Sequence, residues 1–220
     1  MSLENRRTIT GRWPLISGGV AVGIAGLLGV LVALRESPIE VDEEWMSELL
    51  EERGPWWDVP ALFMDWLGGG LVAVVVVPLV IAGALVLVRR PLGAAVFLLA
   101  SALSAGLVQV LKAAFGRARP ELMLVVSDEG SFPSGHVANA ATIAIALGLI
   151  LALDRGRRWV WMLGALYIVA MALSRTYLGV HWLTDTIGGA LLGAGVAVVV
   201  WVPFARALAR EPRPRRVRSG

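Results

Sequence analysis

The chain contains no cysteine, one lysine and two histidines among its 220 residues. The absence of cysteine excludes disulfides, thiolate catalysis and cysteine-ligated metals. The sequence also has no glycine-rich nucleotide loop, no low-complexity tract and no internal repeat. Positive charge is otherwise supplied by arginine alone, so the single lysine and the two histidines are the first candidates for chemistry.

Charged residues are few and fall mainly between long apolar runs: 57% of the chain is hydrophobic and the mean hydropathy is +0.72. Such values indicate an integral membrane protein. Runs of about 20 apolar residues can cross a bilayer as helices. We therefore predict an all-α, polytopic membrane protein, with residues 1–220 forming one helical-bundle domain with six transmembrane helices. The six predicted spans are 14–34, 67–88, 91–111, 135–153, 159–178 and 183–203.

The first apolar run follows several arginines and could be taken for a signal peptide. It is longer than a usual signal core, and no small-x-small cleavage site precedes Arg35. We expect it to be a membrane span.

Arginines cluster in the segments that six spans would place on one side of the membrane. They are Arg6, Arg7, Arg12, Arg89, Arg90, Arg155, Arg157, Arg158, Arg206, Arg210, Arg213, Arg215, Arg216 and Arg218. The positive-inside rule makes that side cytoplasmic. The N-terminus 1–13 and the basic tail 206–220 are then both cytoplasmic. We expect the membrane to be a plasma membrane, specifically a bacterial inner membrane. Membrane topology and anionic lipid explain these arginines, so no nucleic-acid partner is expected.

Acidic residues concentrate in segment 35–66, which the same topology places on the outer side. Asp42 could cap a short helix that ends at Gly54, with Pro55 following. Trp45, Met46, Leu49 and Leu50 would share one face of this helix. We interpret the segment as an amphipathic helix at the outer interface, with a lid or lipid gate as the alternative.

Two small-xxx-small patterns occur in predicted spans, Gly19-x3-Gly23 and Gly189-x3-Gly193. Such patterns allow close helix packing. Packing within one bundle is the preferred interpretation, and a homodimer is the alternative.

The lysine and both histidines fall within three spaced motifs. The motifs are Lys112-x6-Arg119-Pro120, Pro133-Ser134-Gly135-His136 and Ser174-Arg175-x5-His181-x3-Asp185. With alternating span directions, these residues lie at the ends of spans three to six on the outer face. Four helix ends would therefore bring them together, and polar groups at such depth are usually functional.

The residue types in these motifs suit a phosphate group. Lys112, Arg119 and Arg175 supply three positive charges, and the N-terminus of a helix at Gly135 adds free N–H groups. Ser134 can donate a hydroxyl hydrogen. Three cations oppose metal binding nearby, so no metal site is expected.

The histidines can supply the reactive groups. His181 and Asp185 are four apart, so they share a helix face. A carboxylate on one ring nitrogen would orient the histidine and leave the other nitrogen as a nucleophile. His136 is then free to act as acid and base.

The three motifs, complete and in order, resemble those of the type 2 phosphatidic acid phosphatase superfamily. This resemblance implies a helical-bundle core and metal-independent cleavage of phosphomonoesters or diphosphates, without a cofactor. It implies that His181 is the nucleophile, Asp185 its orienting carboxylate and His136 the general acid. The phosphate ligands that it implies are Lys112, Arg119, Ser134, Gly135 and Arg175. The motif pattern does not settle the role of Arg117.

These features predict a membrane lipid phosphatase with an extracytoplasmic active site and a phosphohistidine intermediate. Undecaprenyl diphosphate is the preferred substrate, and phosphatidylglycerophosphate or phosphatidic acid is the next choice. A lipid phosphotransferase is a second enzymatic alternative. A lipid or anion transporter is the non-enzymatic alternative, although transport needs no oriented nucleophile.

Overall fold

The computed structural model describes residues 3–35, 37–151 and 158–211, with side chains from Arg12 onward. Those ranges contain helices and no strand, which confirms the predicted all-α class. The helices are α1 Leu3–Ala33, α2 Glu40–Glu51, α3 Pro55–Gly68, α4 Val77–Leu87, α5 Pro91–Phe115, α6 Gly135–Leu151, α7 Arg158–Tyr177 and α8 Leu183–Leu208, with a π-helical segment Val72–Val76 before α4. Arg155, Arg157 and the tail beyond Glu211 lie outside the described residues.

Four helices are long and apolar enough to cross a membrane: α1 from Arg12, α5, α7 and α8. The pair formed by Pro55–Gly68 and Val72–Leu87 passes the same criteria together but is bent by 55°, and would be a fifth span. Helix α6 is apolar and has 17 residues. The protein is therefore a polytopic helical membrane protein, whereas the count of six spans and the side of each terminus stay predictions.

The predicted continuous span 67–88 is broken near its start. Three consecutive glycines, Gly68 to Gly70, begin at the last residue of α3, and Gly70 has a φ of 56°. Glycine favours such a break because it is a poor helix former and adopts positive φ without strain. A Cβ on Gly69 would lie 2.8 Å from Nε2 of His136. The break therefore lets the backbone approach His136 and places α3 beside the motif residues.

Helix α2 differs from its prediction in its cap and in its end. It ends at Glu51 rather than at Gly54, and the residue before it, Ile39, makes no side-chain cap. Asp42 lies inside the first turn, fully buried, and its carboxylate bonds to other parts of the chain. The expected apolar face is present, since Met46 is buried and Leu49 is half-buried.

Close packing between α6 and α8 forms the centre of the bundle. A Cβ on Gly189 would lie 2.5 Å from the carbonyl oxygen of Ser134, and a Cβ on Gly193 would meet the carbonyl of Ala138 still closer. This glycine pair therefore serves packing within the bundle. Gly19 and Gly23 have no atom within 4 Å of such a Cβ, so a homodimer stays a prediction.

Arg90 has a structural contact in addition to the topological role expected from its charge. It is only 2% exposed, whereas Arg89 beside it is exposed. Its guanidinium donates to the carbonyl of Ile150 at 2.5 Å and to that of Leu208 at 3.0 Å, and its Nε lies 3.5 Å from Glu211. Arg90 thus ties the ends of α6 and α8 to the start of α5.

Candidate active site

Four helix ends meet at one end of the bundle, which we call the motif end: the ends of α5 and α7 and the starts of α6 and α8. Helix α5 stops because Gly116 adopts a left-handed conformation with φ 54°. The following loop is tied to α8 by a bond from Ser134 N–H to the carbonyl of Asp185 at 3.0 Å, and to the α7–α8 turn by a bond from Leu124 N–H to the carbonyl of Leu178 at 2.9 Å. The structure thus brings the three motifs together, as the alternation of spans predicts.

His181 and Asp185 form a buried pair. His181 is 2% exposed and Asp185 is fully buried. Nδ1 of the ring lies 3.4 Å from Oδ2 of Asp185, a long contact without hydrogen-bond geometry. Oδ2 also accepts the N–H of Trp182 at 2.8 Å. The pair leaves Nε2 of His181 facing Arg119, with Nη1 3.4 Å away.

The protonation state of His181 suits a nucleophile. Burial lowers its pKa to about 4, although Asp185 opposes the shift. The ring is therefore neutral at pH 7, with an unshared electron pair available on one nitrogen.

Lys112 and Arg119 lie together around the carboxylate of Asp128. Lys112 donates to Oδ1 at 3.0 Å and Arg119 donates to the same oxygen at 2.7 Å. Arg119 is further held by backbone carbonyls, including those of Asp128 at 2.7 Å and Gly130 at 3.0 Å. Desolvation raises the pKa of Asp128, but the bond from Lys112 and the charges of Lys112 and Arg119 outweigh it and hold that pKa low. Asp128 is therefore ionised at neutral pH.

Arg175 and His136 lie together around a second carboxylate, Asp65 of α3. Arg175 is 1% exposed and donates to Oδ1 of Asp65. Nε2 of His136 lies 3.2 Å from the backbone oxygen of Asp65 and 3.5 Å from Oδ1. Neither Asp65 nor Asp128 belongs to a motif, and sequence reasoning missed both. Only the position of Asp128 between two motifs could have suggested one of them.

Two polar atoms among the expected phosphate ligands lack partners. Oγ of Ser134 and Nε of Arg175 are buried without a hydrogen-bond partner. Buried polar groups are nearly always paired in folded proteins. The first turn of α6, which starts at Gly135, adds backbone N–H groups with no partner inside the helix. The motif end is therefore suited to an anionic ligand that would bond to several donors at once.

Arg117 bonds to a different set of side chains from those around Asp128 and Asp65. Its guanidinium donates to Asp185, to Asp42 at 2.7 Å and to the hydroxyl of Thr184 at 2.8 Å. It lies over the ring of Trp182, 5.7 Å from the centroid. Across the described residues, no three His, Asp or Glu side chains converge as a metal ion would require.

The chain belongs to the PAP2 superfamily. The family model with that description matches residues 93–208, a range that contains all three motifs, so the resemblance inferred from the motifs is confirmed.

Two curated relatives carry the names of lipid phosphatases. Phosphatidylglycerophosphatase B of Bacillus subtilis is 36% identical over 91 residues, which are 39% of this chain and 45% of the relative. An undecaprenyl-diphosphatase of Sulfolobus acidocaldarius is 39% identical over 74 residues, 34% of this chain and 31% of the relative. The chain thus spans less than half the length of these two relatives.

Two solved structures share the fold. The crystal structure of a transmembrane PAP2-type phosphatidylglycerolphosphate phosphatase from Bacillus subtilis matches with a TM-score of 0.73 and 27% identity, over 86% of this chain and 98% of that one. The crystal structure of Aquifex aeolicus LpxE matches with a TM-score of 0.64 and 27% identity, over 76% of this chain and 98% of that one.

Proposed function

We propose that the protein is a metal-independent lipid phosphatase that cleaves a lipid phosphate or diphosphate at the extracytoplasmic face of a plasma membrane. The observation that carries this proposal is the neutral, buried His181 beside Asp185, facing the guanidinium of Arg119. A transporter would need the cations but has no use for an oriented nucleophile.

The reaction proceeds in two displacements. Nε2 of His181 attacks phosphorus while the bond to the leaving oxygen breaks, and His136 gives that oxygen a proton. Asp185 stabilises the positive charge that the ring acquires. Water then attacks the phosphohistidine, its proton passes to His136, and inorganic phosphate leaves. The expected ligands of the phosphate oxygens are Lys112, Arg119, Ser134, Gly135 and Arg175, whose charges and N–H groups stabilise the transition state as metal ions do elsewhere.

The lipid part of the substrate has an apolar surface near this centre. A groove of about 400 Å³ lies between α3 and α7 and is lined by apolar side chains such as Trp57 and Leu173. Met64 and Ser174, which also line it, are the chain neighbours of Asp65 and Arg175. A lipid in this groove would have its headgroup near the cations.

An isoprenoid diphosphate, chiefly undecaprenyl diphosphate, is the first candidate substrate because a carrier lipid is released on the outer face and one relative is named for it. Phosphatidylglycerophosphate is the second candidate, favoured by the structure of TM-score 0.73. Phosphatidic acid is a further phospholipid monoester to compare.

The test compares kcat/KM of purified protein on polyprenyl diphosphates, phosphatidylglycerophosphate and phosphatidic acid, with and without EDTA. We expect phosphate release that EDTA does not reduce. Loss of turnover in EDTA with recovery in Mg²⁺ would contradict the mechanism. Phosphate passed to an added lipid acceptor instead of water would indicate a phosphotransferase, and binding without release would indicate a transporter.

Labelled substrate distinguishes the two histidines. His136→Ala should accumulate label on His181, because the same residue activates water in the second step. Its kcat/KM, which reports formation of the phosphohistidine, should fall less on an aryl phosphate than on an alkyl phosphate, since an aryl oxide needs less protonation. Mass spectrometry after acid-free denaturation would detect the adduct. Label on Ser134 instead would remove His181 from the nucleophile role.

A further inference from the structure

The first turn of α8, which carries Asp185, is capped by a residue from α2. The residue before α8 is Trp182, whose indole offers only a hydrogen-bond donor. The N–H of Thr184 instead bonds to Oδ1 of Asp42 at 2.8 Å, and the hydroxyl of Thr184 donates to Oδ2 of Asp42 at 2.7 Å. Asp42 therefore supplies from another helix the carboxylate that helix N-termini favour.

Arg117 joins this cap to the catalytic pair. One of its nitrogens, Nη2, bonds to Asp42 and the other, Nη1, bonds to Asp185 and Thr184. Asp42 and Asp185 are fully buried and Arg117 is 8% exposed. Removing one member of such a buried group leaves an uncompensated charge. The three side chains thus form a connected ionic bridge from α2 to Asp185.

We infer that Asp42 and Arg117 are positioning residues that fix Asp185 and the first turn of α8, and through them aim His181 at phosphorus. This inference rests on the proposed phosphatase function. Both terminal nitrogens of Arg117 bond to carboxylates that are fully buried, whereas the carboxylate partners of Arg119 and Arg175 are 61% and 30% exposed. A phosphate could displace the exposed carboxylates but not the buried ones, so Arg117 is not a phosphate ligand. Loss of the bridge should therefore lower kcat and leave KM nearly unchanged, whereas loss of a phosphate ligand should also weaken binding.

The variants are Arg117→Met and Asp42→Asn, with Arg35→Met and Glu44→Gln as matched controls. Arg35 and Glu44 are exposed, and neither has a role in the proposed site. We expect kcat to fall about 10- to 100-fold in each bridge variant, as for residues that orient a catalytic ligand, and to stay unchanged in the controls. Because both residues act through Asp185, the double variant should lose little more than Arg117→Met alone.

A second readout follows the ionisation of His181. The charged groups that face its ring are Asp185 from α8, Arg119 from the loop and Arg175 from α7. Neutral His181 is the nucleophile, so kcat/KM falls as pH drops through its pKa. Arg117→Met leaves the charge of Asp185 uncompensated, which stabilises the protonated ring. The acid limb of kcat/KM should then move to higher pH, and it should not move in Arg35→Met.

Thermal unfolding in detergent shows whether each variant is folded. If Arg117→Met does not fold, the test rests on Asp42→Asn. The asparagine has no charge, but its amide oxygen can still accept the N–H of Thr184. Wild-type kcat in folded Asp42→Asn would overturn the inference, as would a rise in KM without loss of kcat.

A measurement without substrate distinguishes failure of the proposed phosphatase function from failure of the positioning role of Asp42 and Arg117. The pH titration of the His181 ring, followed by NMR of protein labelled at its two histidines, reports its ionisation without any substrate. If wild-type protein releases no phosphate but this profile moves in Arg117→Met, the bridge stands and the phosphatase proposal fails. If phosphate is released and neither profile moves in folded bridge variants, the bridge proposal fails alone.

Discussion

The two ends of the helical bundle both bury arginine, but they do so with opposite consequences. At the motif end, Arg175 bonds to a carboxylate that is 30% exposed. At the opposite end, Arg90 bonds to the final carbonyls of two helices and lies beside a nearly buried Glu211. The first arrangement can exchange its carboxylate for a ligand, whereas the second has backbone partners that cannot leave.

This difference separates charge that serves chemistry from charge that serves assembly. Helix ends leave carbonyl groups without partners inside the helix, and Arg90 bonds to one such carbonyl in each of α6 and α8. Lys112, Arg119 and Arg175 at the motif end instead each bond to a side-chain carboxylate, either Asp128 or Asp65. Substitutions at the two ends should therefore give different phenotypes.

The largest expected effect is at His181. His181→Ala should lower kcat by about 10⁴-fold or more on every substrate, because loss of a nucleophile removes the covalent route. The unfolding temperature should stay close to that of wild type. Phosphate release by purified variant and wild type measures the loss. A folded variant that retains a tenth of the wild-type kcat would exclude His181 as nucleophile.

Removal of a single cation at the motif end should have the next largest effect. Lys112→Ala, Arg119→Ala and Arg175→Ala should each raise the barrier by about 2–4 kcal/mol, as for loss of one preorganised oxyanion donor. The charge moves toward the leaving oxygen in the transition state, so kcat should fall. The measurement is kcat/KM, with exposed Arg35→Ala as the control. A wild-type value in any variant would remove that residue from the site.

Arg90 provides the contrasting result at the opposite end. Arg90→Met should lower the free energy of unfolding by about 3–5 kcal/mol, the range for breaking a buried ion pair. The kcat of the protein that remains folded should change little. Arg89→Met, at the exposed neighbour, should alter neither quantity. A wild-type free energy of unfolding together with a lower kcat in Arg90→Met would contradict the proposed difference between the two ends.

The contrast between neighbouring Arg89 and Arg90 shows where sequence reasoning stops. Both were predicted as markers of the cytoplasmic side, and nothing in the residue type distinguishes the buried one. The burial of Arg90 depends on the docking of two helix ends that lie 60 and 118 positions away along the chain. Local patterns carry no information about such contacts.

The meeting of the motifs was predictable because span alternation is a simple rule, and opposite span directions placed Lys112 near Ser134. The pairing of His181 with Asp185 was also predicted, but for a reason that the structure corrects: His181 lies two residues before α8 rather than on its face, and it meets Asp185 across the start of that helix. The carboxylates were not predictable in this way. Asp42 and Asp65 lie in an acidic segment whose members look alike, and only packing buries Asp42 completely. The same segment suggested a self-capped helix, whereas its aspartate caps another helix.

The smallest effect, and the one with the opposite sign, should come from Asp128. Its carboxylate holds Lys112 and Arg119 by bonds of 3.0 and 2.7 Å, yet the side chain is 61% exposed. A phosphate that binds these cations must displace it, so the carboxylate competes with the substrate. Asp128→Asn removes the competing charge and keeps the side-chain size. We expect KM and the inhibition constant of inorganic phosphate to fall a few-fold, equivalent to about 0.5–1 kcal/mol for an exposed ion pair.

The pH dependence gives the Asp128 prediction its internal control. Because its pKa is held below the ordinary value, Asp128 competes with phosphate throughout neutral pH, and protonation at low pH should remove the competition. The advantage of Asp128→Asn over wild type in phosphate binding should therefore be full at pH 7 and shrink as pH falls through the pKa of Asp128. Exposed Glu129→Gln is the matched variant, and it should leave the inhibition constant unchanged. A weaker affinity for phosphate in Asp128→Asn would contradict this prediction, because it would mean that the carboxylate holds Lys112 and Arg119 in place for the substrate. The partner of these cations would then be structural, like the partners of Arg90 at the opposite end.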